Sequence, residues 1–113
     1  MNEFMMIFRH SGVPDTNLSP EQIQGIMKQW QDWIGGIAAR GKFVSTNQLG
    51  FQGKTLKPNK MIIDGPYAEV KEIVGGYIIV RAESIDDAMK IAEGCPILLA
   101  GGNVEVRDIM QMN

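Results

Sequence analysis

The segment from Glu3 to Arg9 constrains this chain more than any other, because it is too short for a helix and apolar on both sides. Read as a strand, it points Phe4, Met6 and Phe8 one way and Met5 and Ile7 the other. Tyr77 to Arg81 is a second strand of the same two-sided kind. Such strands need a cover on each face. The central question is therefore what the rest of the chain can supply as cover.

It supplies two helices. Ser19 is placed as an N-cap, Pro20 takes the first helical position, and Gln22 completes a capping box. Leu18 and Ile23 sit at staple positions. Ile23, Ile26, Met27, Trp30, Trp33, Ile34 and Ile37 then form one apolar stripe. Gly35-Gly36 interrupts it without breaking its phase, which predicts a helix to about Arg40 with Gly41 as its stop. Ser84 caps the second helix, with Asp86 and Asp87 in its first turn. Ala88, Ile91, Ala92 and Cys95 keep its stripe, and Gly94 or the Cys95-Pro96 step ends it.

The remaining segments fill in the order. Ser11 to Leu18 has loop chemistry, and Lys42 to Ser45 suits a short strand. Asn47 to Lys60 reads as a hairpin or a long loop, and Met61-Ile62-Ile63 as a short buried strand stopped by Asp64-Gly65-Pro66. Tyr67 to Glu72 is a mixed, charged rim segment, and Gly75-Gly76 signals a bulge or a close backbone approach. Ile97 to Gly102 is apolar and without a clear period; Asn103 to Met110 is the closing strand, with Val104 and Val106 on one face.

Strand, helix, strands, helix, strand is the split βαβ pattern of a ferredoxin-like α+β fold, here βαββαβ with an extra hairpin. Two right-handed crossovers place both helices on one sheet face. The other face is left apolar and bare, and a second copy packing sheet to sheet is the economical cover. A homodimer through the sheet faces is the expected partner.

Composition narrows the function. The chain has 113 residues, read as one domain over 1–113, with 44% hydrophobic and 21% charged residues as in ordinary globular proteins. A net charge of −2 lacks the basic footprint of nucleic-acid binding. The N-terminus has no basic leader, and no stretch nears the ~20 apolar residues of a membrane span, so the expectation is a cytoplasmic protein with no membrane partner. One cysteine and one histidine exclude a Cys/His zinc site within one chain, and no metal is expected. The phosphate-cradling glycine loop, dinucleotide fingerprint, Gly-x-Ser-x-Gly elbow and Cys–His pairing are all missing, so no cofactor is expected either.

Asp64-Gly65-Pro66-Tyr67-Ala68-Glu69-Val70-Lys71-Glu72 resembles the signature of the YCII-related family, in its DGPF branch. Seven of nine positions match Asp-Gly-Pro-Phe-Ala-Glu-Thr-Lys-Glu; Tyr67 replaces Phe and Val70 replaces Thr. The Phe4-Met5-Met6-Ile7 strand, the Leu18-Ser19-Pro20-Glu21 start, Gly75-Gly76-Tyr77, Cys95-Pro96 and Val104-Glu105-Val106-Arg107 extend the likeness over nearly the whole chain. The resemblance implies a dimeric α/β barrel. It also implies a pocket with a His–Asp pair, placed as in lactone isomerases of that fold. Fusion of some family domains to sigma factors implies a regulatory alternative.

His10, the only histidine, falls just past the first strand, where an imidazole can serve as acid or base. Asp64 follows a buried strand and precedes Gly-Pro. Such an aspartate can hold backbone N–H groups at a turn, or act as a base or orient His10 at a pocket mouth. Tyr67, Glu69 and Lys71 are rim candidates for ligand contact, and Arg81 suits a carboxylate ligand if it faces a pocket. The rim charges equally suit exposed ion pairs, and the strand charges Arg81, Glu105 and Arg107 cross-strand pairs. Cys95 and the two tryptophans read as core.

Two readings stay open. One is a cofactor-free acid–base enzyme on a small carbonyl or lactone compound, using Asp64 and His10. The other is a non-catalytic small-molecule-binding or regulatory dimer.

Overall fold

The computed structural model describes residues 1–10, 17–65 and 73–111. Its order is β1 (Asn2–His10), α1 (Pro20–Ala39), β2 (Phe43–Gln48), β3 (Lys54–Leu56), β4 (Ile62–Asp64), β5 (Ile73–Ala82), α2 (Ile85–Ala92), a 3-10 turn (Pro96–Ala100) and β6 (Asn103–Asp108). β2, β5, β1 and β6 lie side by side in that order, every neighbouring pair antiparallel. This is the ferredoxin-like α+β arrangement, and β3 and β4 form a separate two-stranded hairpin between β2 and β5.

Alternation along the central strands builds the core. Phe4, Met6 and Phe8 of β1 and Ile78, Val80 and Ala82 of β5 are buried, and Ala88, Ile91, Ala92 and Cys95 cover them from α2 and its exit. From α1 only Ile37 is fully buried; Trp30, Trp33 and Ile34 pack at the edge of the cluster. Phe8 meets Trp30 and Trp33 edge-on, at 5.1 and 6.1 Å between ring centroids. The Trp33 indole N–H donates to the Ile91 carbonyl at 3.0 Å, which ties the two helices together. The tryptophans are thus partly buried walls of the core.

The predicted apolar stripe of α1 does not all reach that core. Ile23, Ile26 and Met27 are exposed. A 20-residue helix is about 30 Å long, and the stripe outruns the apolar surface that receives it. The helix ends behave as the sequence demands. Ser19 Oγ accepts from the Gln22 N–H while Gln22 Oε1 accepts from the Ser19 N–H, a closed capping box. Gly41, at φ 72°, turns the chain out of the helix. Ser84 Oγ caps α2 through the Asp87 N–H. The Ile97–Gly102 stretch, ambiguous in sequence, resolves into the 3-10 turn after Pro96.

The second sheet face carries Met5, Ile7, Tyr77 and Ile79, all half-buried, and neither helix of the described residues lies over them. Charges ring these side chains: Glu105 binds Arg9 at 3.2 Å and Arg107 at 3.5 Å. Glu105 thus pairs across strands with Arg9, and along its own strand with Arg107. No helix among the described residues is long and apolar enough to cross a membrane.

Candidate functional site

His10 ends β1 half-buried, opposite Ile73 of β5. Just before it the register slips. Phe8 faces Gly76 and Arg9 faces Val74, so Gly75 is the extra residue of a bulge. The slip has a visible use. A Cβ on residue 75 would stand 2.5 Å from Cδ2 and 2.7 Å from Nε2 of His10, so the imidazole lies over the bare glycine. Phe51 meets the ring edge-on with centroids 5.8 Å apart. The bulge is anchored by the Leu49 N–H, which donates to the Gly75 carbonyl at 2.9 Å.

Gly76 answers a different constraint. Its missing Cβ leaves room for the Asn47 carbonyl, which would otherwise stand 2.8 Å away. On the same strand pair, Thr46 Oγ1 donates to the Tyr77 carbonyl at 2.7 Å and Asn47 Nδ2 donates to the Tyr77 hydroxyl at 2.8 Å. The Gly-Gly step thus serves as both bulge and close approach.

Asp64 ends β4, exposed and opposite Lys54. Beside it Gly65 adopts φ 89°, which accounts for glycine there, and its N–H donates to the Gly53 carbonyl at 2.7 Å. The hairpin is therefore pinched shut at its root. Among the described residues no hydrogen bond or ion pair joins Asp64 to His10. Tyr67, Glu69 and Lys71 lie outside the described residues.

Arg81 stands elsewhere. It is exposed and faces Glu3, seven residues back along β1 from His10. At about 3.4 Å per residue that is roughly 24 Å. One small ligand in one protomer cannot touch both. Two open grooves also lie away from His10. One, of about 410 Å³, is lined by Glu3, Phe4, Ile85 and Asp108 among others; another, of about 390 Å³, by Trp33, Arg40, Lys42, Asp87 and Lys90 among others. Neither is lined by Asp64. Cys95 is buried and burial pushes its thiol up to about 11, so it is an inert core group at neutral pH. Among the described residues no three His, Cys, Asp or Glu side chains converge as metal ligands.

Phe51 and the seating role of Gly75 were not assigned from the sequence. The Gly-Gly signal was visible, but naming the ring above it required the register between two strands more than sixty residues apart.

With this arrangement in view, the comparisons decide the family. The YCII-related domain matches residues 4–113. The chain belongs to the YCII-related family. No curated protein matches it in sequence. Among solved structures, this YCII protein is similar to 5-chloro-2-hydroxyhydroquinone dehydrochlorinase from Burkholderia phenoliruptrix AC1100, determined in complex with 2,5-dihydroxybenzoquinone. The two are 17% identical, the match covers 96% of this chain and 95% of that one, and the TM-score is 0.51. What they share is the fold.

Proposed function

We propose that this YCII protein, of the DGPF branch, is a cofactor-free enzyme of the cytoplasm that moves a proton on a small carbonyl or lactone compound. The observation that carries the reading is the seat of His10. A register slip and a glycine together make room for one imidazole at the end of a core strand, with an aromatic edge beside it. An imidazole so held can take a proton from a carbon next to a carbonyl and return it at another position, with no net oxidation. Asp64, exposed at the root of the neighbouring hairpin, is the second acid–base group of this reading, with Tyr67, Glu69 and Lys71 contacting polar groups of the ligand. The ring carbonyls of the compound bound by the Burkholderia structure give a starting substrate class.

We further propose that the working unit is a dimer through the open sheet face. A folded monomer of 12.5 kDa is expected to expose about 6,200 Å². This chain exposes 8334 Å². The excess is more than the ~800 Å² per partner of a standard interface. The radius of gyration, 15.7 Å, likewise exceeds the ~13 Å of a compact chain of this length.

The single histidine makes the enzymatic reading directly testable, since only one imidazole contributes a Cε1–H ring resonance. Titration with 2,5-dihydroxybenzoquinone and with small lactones is expected to move that resonance. Deuterium from D₂O is then expected to enter a bound compound in the wild-type protein but not in His10→Gln, and slowly in Asp64→Asn. Binding without exchange, equal in all three proteins, would favour the non-catalytic module.

A further inference from the structure

We propose that the β3–β4 hairpin is an arm by which each protomer grips a second copy of the chain, and that this grip holds the His10 corner in shape. The inference rests on the dimer proposed above and adds to it a specific handle. A two-stranded hairpin alone is marginal in water, and this one has no described element packed broadly against it. Yet it exposes large apolar side chains. Leu56 and Ile62 face each other across the two strands and are 68% and 61% exposed, with Met61 beside them. Such a pair belongs in an interface.

Charge names the occupant. Residues 54–64 hold Lys54, Lys57 and Lys60 against Asp64 alone, a net charge of +2. With −2 for the whole chain, the remainder carries −4. A basic arm and an acidic body on the same chain complement each other between two copies. The surface excess is large enough to include such an arm as well as the sheet face.

The link to the site lies at the root of the arm. Phe51, which abuts His10, precedes the hairpin, and Asp64 and Gly65 close it. A partner that holds the arm thereby fixes the position of both flanks of the corner.

The pinched root permits a clean test, since the Gly65 N–H already bonds to the Gly53 carbonyl. Residues 54–64 are replaced by two glycines in the full chain, and a second protein carries Leu56→Thr with Ile62→Thr, which keeps strand-forming residues. Sedimentation equilibrium and the His10 ring resonance are followed in both. A dimeric wild-type protein, with both variants dissociating about 30-fold more readily and sharing an altered His10 resonance, supports the arm. Weaker wild-type association at high salt supports its charge complementarity. A dimeric wild-type protein whose variants associate as tightly, with an unchanged His10 resonance, overturns the arm and leaves the sheet-face dimer standing. A monomeric wild-type protein at micromolar concentration overturns both.

Discussion

The two faces of β1 and β5 come from the same residues in alternation, and they end in opposite conditions. On the helix side Met6, Ile78 and Val80 are fully buried. On the other side Met5, Ile7, Tyr77 and Ile79, equally apolar in character, are only half-buried and lie under neither described helix. The chain finishes one face with its own helices and leaves the second as a surface. Apolar content alone therefore says how much cover a sheet needs, and helix count says how much of it the helices supply.

The contrast can be broken most severely from the closed side. Met6→Ala removes a side chain at 0% exposure and is expected to cost about 2–5 kcal/mol of unfolding free energy in urea titration. The open side should respond in association and not in folding. Ile79→Asp is expected to weaken self-association by about 30-fold or more in sedimentation equilibrium, with little loss of subunit stability. A large loss of monomer stability instead would mean that the two faces are alike.

Gly75→Ala sharpens the comparison at the strand end. The new methyl must displace the His10 ring, so the ring resonance and any proton exchange should change while stability moves by less than about 1 kcal/mol. In a His10→Ala background the same substitution should be neutral or stabilise by about 0.4–1 kcal/mol, since nothing occupies the space. A last effect, confined to alkaline solution, is a pH response of the closed face. The Cys95 thiol titrates near 9 when unfolded and is raised to about 11 in the fold by burial, opposed by a backbone hydrogen bond at Ile97. The neutral thiol favours the fold, so this contribution is full below pH 9 and is lost as pH rises through about 11. Unfolding curves of wild type and Cys95→Ala should draw together across that window.

Much of the fold was legible because its signals are local. Ser19, Pro20 and Gln22 specify a helix start through hydrogen bonds within one turn, and Gly41 specifies its end. Gly75-Gly76 announced a disturbed strand. The site was less legible for a physical reason: it is made by register. Whether His10 meets Gly75, or Arg81 stands beside His10 or 24 Å from it, depends on which residues of distant strands align. Alternation gives the face of a residue but not its place along the sheet, so which pocket, if any, Arg81 could face was not legible. The overhang of Ile23, Ile26 and Met27 escaped for a similar reason, since a periodic stripe does not reveal how far the surface beneath it extends.

The strand order β2-β5-β1-β6 has a consequence for synthesis. β1 lies in the middle of the sheet beside a strand that is made much later, and Asn2 pairs with Ala82. At about 5–20 residues per second, translation keeps that segment waiting on the order of 4–16 s for β5. Until then its Phe4, Met6 and Phe8 side chains have no β5 to lie beside, and the emerging chain is most prone to aggregate before the sheet exists.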